Sequence, residues 1–144
     1  MKFLNSNIIK HYSKKNLFNQ ILLNFKKVGI DIKSLTINKF NSFDQFHIGG
    51  LKATLNLINQ LDLKPNMSVL DIGCGIGGVA RQIAFHYKAN VTAIDLTEDF
   101  IETAAKLTDL IGLNIKFKQG DALNIPYDDN VFDVATLFHV GMNI

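Results

Sequence analysis

Three acids and a run of glycines are the residues of this chain whose types and spacing could do chemistry. Residues 69–78 read VLDIGCGIGG: two apolar residues, Asp71, an isoleucine, then glycines at 73, 75, 77 and 78. Glycines directly after a strand-like run let the backbone turn tightly into a helix, and let a ligand approach the main chain with no Cβ in the way. A helix that starts there presents unpaired N–H groups and partial positive charge to an anionic group. Gly73, Gly75 and Gly78 also satisfy the G-x-G-x-x-G spacing of dinucleotide binders, so the glycines alone do not choose a ligand. Asp71 does discriminate. A carboxylate this close would repel a pyrophosphate, and it suits a ligand that carries positive charge and no phosphate. Asp95 closes the next apolar run, 18 residues after Gly77, where a carboxylate can accept hydrogen bonds from both ribose hydroxyls. Asp121, in GDA after a third run, is placed to meet the exocyclic amine of an adenine. One acid at each of three successive strand ends describes a pocket for an adenosine without phosphates.

The elements that must position these residues are visible in the hydrophobic periodicity. Residues 16–28 set Leu17, Ile21, Leu22 and Phe25 on one helical stripe, with Gly29 as the stop. Residues 31–50 show no clear period, end in two glycines and read as a linker. Leu51, Leu55, Ile58 and Leu61 repeat the helical pattern over 51–62, and Pro65 and Asn66 then make a turn. Strands are predicted at 67–72, 90–95, 114–119 and 131–138, and helices at 78–89 and 98–112, the latter with Thr97 as its cap. Strands alternating with helices of this length predict an α/β fold, a parallel sheet with helices on both faces. In such a sheet ligands bind beyond the carboxyl ends of the strands, at the point where the strand order reverses.

Composition narrows the class. The chain has 144 residues, 47% of them apolar and 19% charged, which suits one packed domain and excludes a disordered chain. No stretch approaches the roughly 18 consecutive apolar residues of a membrane span, and no signal peptide is visible, so the expected location is cytoplasmic. The single cysteine, Cys74, has no partner for a disulfide or a thiolate metal site and reads as a small buried residue; no metal site is expected. The net charge of +2 hides an asymmetry, because residues 1–40 carry eight lysines against Asp31 alone. These lysines are scattered among Asn, Ile and Phe, Arg81 is the one arginine, and no nucleic-acid-binding module is present, so they read as a solvated face rather than a nucleic-acid contact.

The segments VLDIGCGIGG, VTAIDLTEDF, GDALNIPYDDNVFDV and HVGMNI together resemble the class I S-adenosylmethionine-dependent methyltransferases. More narrowly they resemble the small-molecule enzymes of the ubiquinone/menaquinone, tocopherol and sarcosine/dimethylglycine type, and LTINKFNSFDQFHIGG is similar to that family's lead-in to the cofactor site. The resemblance implies a Rossmann-like methyltransferase fold with strand order 3-2-1-4-5-7-6, with S-adenosyl-L-methionine as cofactor and a small-molecule methyl acceptor attacked by in-line displacement. It implies that Gly73, Gly75 and Gly77 line the methionine and ribose part of the cofactor, and that Asp71 orients the loop or meets the methionine amino group. Asp95 would bind the ribose hydroxyls with Leu96 against the adenine, and Asp121 with Ala122 would recognise the adenine edge. Gln45, His47 and Gly49 would close over the cofactor from the N-terminal side, and His139 would face the methyl-transfer space as a candidate base. Relatives are expected to carry a polar residue where Phe138 stands.

On this resemblance residues 1–50 form an N-terminal helical cover and linker, and residues 51–144 form the S-adenosylmethionine-binding half of a methyltransferase domain whose C-terminal strands are missing after the fourth. The fourth strand would then be an open edge, suited to self-association or to a partner chain. Three functions follow as expectations: a methyltransferase completed by another copy or chain, a truncated non-catalytic remnant that at most binds the cofactor, and a nicotinamide-dinucleotide-binding module.

Overall fold

The computed structural model describes residues 16–41, 43–44 and 49–141. Gln45 and His47 lie outside the described residues, as do the last three residues of the HVGMNI segment. Helix α1 (Leu17–Lys27) buries Ile21 and Phe25 from the predicted stripe. It ends in a Schellman motif: Gly29, at φ 75°, donates to Lys26 O, and Ile30 donates back to Phe25 O at 2.8 Å. Ile30 thereby folds against Phe25 in the same apolar cluster.

The described residues of the segment read as a linker are more ordered than its lack of period suggested. It contains a 3₁₀ turn (Ile32–Ser34), started by Asp31 accepting from the Lys33 N–H at 3.0 Å, and a short helix α2 (Ile37–Phe40). Leu35, Ile37 and Phe40 are buried, so tertiary contact rather than helical periodicity fixes this stretch. Helix α3 (Gly50–Ile58) follows, then β1 (Ser68–Ile72), α4 (Gly78–Tyr87), β2 (Asn90–Asp95), α5 (Glu98–Asp109), β3 (Lys116–Gln119) and β4 (Val134–Thr136). Thr97 stands at the N-cap of α5 as predicted, but its side chain makes no capping bond; Glu98 and Asp99 complement the helix dipole in the first turn. β4 is shorter than predicted. Asp133 halts it at the start, its side chain accepting from the Ser68 N–H at 2.7 Å while its own N–H donates to Ser68 O.

The four strands are parallel in the order β3-β2-β1-β4. Crossovers between parallel strands are right-handed, so β1→β2→β3, which step in one direction, place α4 and α5 on one face. That face carries Val69, Val91, Ala93 and Phe117, packed with Ile58 of α3 and with Ala80, Ile83 and Ala84 of α4. The return from β3 to β4 crosses the other face. There Ala122, Tyr127 and Phe132 pack on Leu70, Ile72 and Ile94, and among the described residues no helix covers that side. A third cluster joins α1 and α2 to α5 through Phe25, Phe40 and Leu107, and reaches the glycine loop at Ile76. β4 is an edge of this sheet, with Ala135 and Leu137 exposed beside it. Among the described residues no helix is long and apolar enough to cross a membrane.

Candidate functional site

The site lies where β1 and β4 are neighbours, because β1 sends its connection toward β2 while β4 is reached from the far edge. Beyond Ile72 the chain hangs on the end of β2: the N–H groups of Gly73 and Cys74 both donate to Ile94 O, at 2.8 and 2.9 Å. Gly73, Gly75 and Gly77 all have left-handed φ, at 70°, 54° and 84°. Their surroundings differ. A Cβ on Gly73 would collide with the Val140 side chain, and one on Gly77 would meet the Arg81 guanidinium and the Phe117 ring at about 3 Å. A Cβ on Gly75 would meet nothing within 4 Å. Gly73 and Gly77 thus make room for protein atoms, whereas Gly75 turns bare backbone toward open space.

Asp95 at the end of β2 braces this loop. One carboxylate oxygen accepts from the Gly75 N–H and the other from the Thr97 N–H, both at 2.9 Å. Burial raises its pKa, against the lowering effect of those N–H groups. Each oxygen keeps a second lone pair, so the carboxylate can still accept from a ligand's hydroxyls. Asp71 on β1 is 2% exposed. Its Oδ1 accepts from the Thr136 hydroxyl at 2.8 Å, while Oδ2 is buried with no hydrogen-bond partner. Burial pushes its pKa from 3.8 to about 7; the Thr136 hydroxyl works against this, Asp95 adds to it, and the Ala80 N–H lowers it from a geometry short of a hydrogen bond. Asp121 is half-buried, its Oδ1 accepting from the Leu123 N–H at 2.9 Å in a tight loop closed by a bridge to Asn124. Leu96 is half-buried and its carbonyl accepts from the Gln119 side chain at 2.9 Å; Ala122 sits on the Leu70–Ile72–Ile94 cluster. The loop and the three acids are therefore gathered at the carboxyl ends of β1, β2 and β3.

His139 is exposed just beyond β4 with a left-handed backbone, φ 59°, which aims the chain so that Val140 lies over Gly73. Cys74 is buried, and burial drives its thiol pKa well above the usual 9.0, so it has little nucleophilic character. Among the described residues no group of His, Cys, Asp or Glu is arranged to hold a metal.

Two features escaped the sequence reading. Thr136 is one. The other is Arg81, fully buried on α4, whose Nη2 donates to Asp44 Oδ2 at 2.9 Å and whose Nη1 donates to Thr108 Oγ1 at 3.1 Å. Its guanidinium also lies 5.0 Å from the centre of the Phe40 ring. Burial lowers its pKa and Asp44 opposes that. This pair ties the segment just after α2 to α4, the helix that Gly77 caps. The available signal was a lone arginine four residues after a glycine, with an acid placed among the aromatics Phe40 and Phe43.

A parallel sheet whose first strand runs through D-x-G-x-G-x-G into a helix, with acids at the next two strand ends, is an α/β domain with the architecture the sequence predicted. The methyltransferase domain family matches residues 69–144, more than half of the chain, and the chain belongs to that family. It is 40% identical over 98 residues to phosphoethanolamine N-methyltransferase 3 of Arabidopsis thaliana, covering 64% of this chain and 20% of that protein. It is 40% identical over 81 residues to a sterol 24-C-methyltransferase of Gibberella zeae, covering 55% of this chain and 21% of that one. Among solved structures, a Galdieria sulphuraria protein assigned as a sarcosine dimethylglycine methyltransferase superposes with a TM-score of 0.58 at 26% identity, over 60% of this chain and 34% of that one. The chain spans about a fifth of the length of these curated relatives.

Proposed function

We propose that this chain forms the S-adenosyl-L-methionine-binding portion of a methyltransferase that acts on a small molecule. The observation that carries the reading is the bare backbone of Gly75 beside two carboxyls, buried Asp71 and half-buried Asp95. The residues fit that cofactor. The space beside Gly75 admits a nucleoside against the main chain, the free lone pairs of Asp95 suit ribose hydroxyls, and the unpartnered Oδ2 of Asp71 suits a cationic amine. Leu96, Asp121 and Ala122 would meet the adenine. When bound, the cofactor supplies a methyl group on a positively charged sulfur. What the chain's own residues do is bind, orient and keep water from that group; the switch point of the sheet is suited to such alignment. Exposed His139 is the candidate base on the acceptor side. Association through the β4 edge, and a cytoplasmic setting suited to the free thiol of Cys74, belong to the same proposal.

The test is calorimetric titration of the purified chain with S-adenosylhomocysteine, set against an Asp95→Ala variant. The wild type is expected to bind. Asp95→Ala removes two charge-assisted hydrogen bonds to ribose and the brace on Gly75, and should weaken binding by on the order of a hundredfold. Equal affinity of the two proteins would refute the assigned site.

A further inference from the structure

The register pairs Asp71 on β1 directly with Thr136 on β4. In-register neighbours on adjacent parallel strands point to the same face, so the two side chains lie side by side at the switch point. Both are 2% exposed. The Thr136 hydroxyl is 2.8 Å from Asp71 Oδ1 and 3.4 Å from Leu70 O. It has one proton to give. With Asp71 ionised, that proton goes to Oδ1; with Asp71 protonated on Oδ1, the carboxyl can donate to Thr136 Oγ1 while the hydroxyl turns to Leu70 O. Either state of Oδ1 is satisfied by the same hydroxyl. Oδ2 is not satisfied in this way: it is buried and unpartnered, an arrangement costly to a carboxylate unless a donor arrives.

We propose that Thr136 is the positioning residue for Asp71: its hydroxyl holds one carboxylate oxygen so that the other is presented to the cationic amino group of the bound cofactor. The proposal rests on the S-adenosylmethionine reading above, and it chooses between the two roles open to Asp71, amine recognition and loop orientation. The groups around Asp71 agree with it. From β2 comes Asp95, a like charge that a bound cation would offset. From α4 come backbone N–H groups and Arg81, which is already engaged by Asp44. The loop contributes the Cys74 thiol, held neutral by burial. β4, Val134–Thr136, contributes no titratable side chain. Among these groups the one cation, Arg81, is paired with Asp44, and none donates a hydrogen bond to Asp71 Oδ2.

The experiment compares two probes on wild type, Thr136→Val and Thr136→Ser: S-adenosylhomocysteine, which carries the amino acid, and methylthioadenosine, which lacks it. Thr136→Val should weaken S-adenosylhomocysteine about tenfold and leave methylthioadenosine unchanged, and Thr136→Ser should restore the loss. The wild-type affinity for S-adenosylhomocysteine should rise with pH as Asp71 ionises, and in Thr136→Val that rise should move to higher pH, because a donor favouring the charged carboxylate is gone. Carboxyl ¹³C titration of Asp71 in the ligand-free proteins reads the same shift without any probe. Parallel loss of both probes, no loss of either, or an Asp71 titration unmoved by Thr136→Val would overturn the proposal while leaving the cofactor reading intact. Failure of the wild type to bind either probe would overturn both.

Discussion

Arg81→Met should cost the folded chain about 3–5 kcal/mol, the usual result of removing one partner of a buried ion pair. Arg81 and Asp44 have fully buried side chains at 2.9 Å. Methionine fills much of the space but removes the Arg81 charge from beside the Asp44 carboxylate, the guanidinium donor from Thr108, and the cation from beside the Phe40 ring. A loss of that size is a large part of the 5–15 kcal/mol that ordinarily separates a folded domain from its unfolded chain. The double variant Asp44→Leu/Arg81→Met should recover most of it, since replacing both charges by apolar groups of similar volume is close to neutral. Urea denaturation of the wild type, both single variants and the double variant gives the coupling. Additive losses, or a single-variant cost below about 1 kcal/mol, would show that the pair does not hold the segment after α2 to α4.

The second large effect is a dependence of stability on pH that Asp71→Asn removes. The folded carboxyl titrates at about 7 against 3.8 for the ordinary group. Between those values the folded chain retains a proton that the unfolded chain has released, so stability falls as pH rises across that window. Below 3.8 both states are protonated and there is no penalty; above 7 the penalty is complete. Three pK units correspond to about 4 kcal/mol. Asp95 is shifted in the same direction, so the slope of the wild type alone does not isolate Asp71. The difference between Asp71→Asn and wild type does, because any fixed cost of the buried amide is independent of pH. The variant should gain on the wild type by about 3–4 kcal/mol between pH 4 and 8, measured by denaturant midpoints. A difference that stays flat across this range would show that Asp71 is ionised in the folded chain as readily as in water.

The parallel order β3-β2-β1-β4 and the gathering of Asp71, Asp95 and Asp121 at three strand ends were legible because each rests on local signals. An apolar run of five or six residues, a glycine turn and a helical stripe identify a strand–loop–helix unit without knowledge of the rest of the chain. β2 falls on the predicted residues 90–95 for that reason. The short helix Ile37–Phe40 did not announce itself, since four residues hold too few turns to show a period, and its burial depends on Phe25 and Phe43. The Arg81–Asp44 pair joins residues 37 positions apart, and Thr136–Asp71 joins residues 65 apart, so neither leaves a mark in any local window. Asp95 was read as a ligand contact; its equally close engagement with the Gly75 N–H became visible only once the loop was folded back over β2. The absence of a described helix between β3 and β4 follows from residues 120–133, which cross the sheet as turns while Tyr127 and Phe132 pack edge to face.

An adenosine-bearing cofactor held at the switch point would show itself in ¹⁵N–¹H spectra of the chain recorded during addition of S-adenosylhomocysteine. The backbone signals of Gly73, Gly75, Leu96, Thr97, Asp121 and Ala122 should shift, with α1 unchanged. Shifts confined to the open depression beside α1, lined by Leu22, Leu23, Lys26, Ile30 and Ile32, or no shifts at saturating ligand, would contradict it.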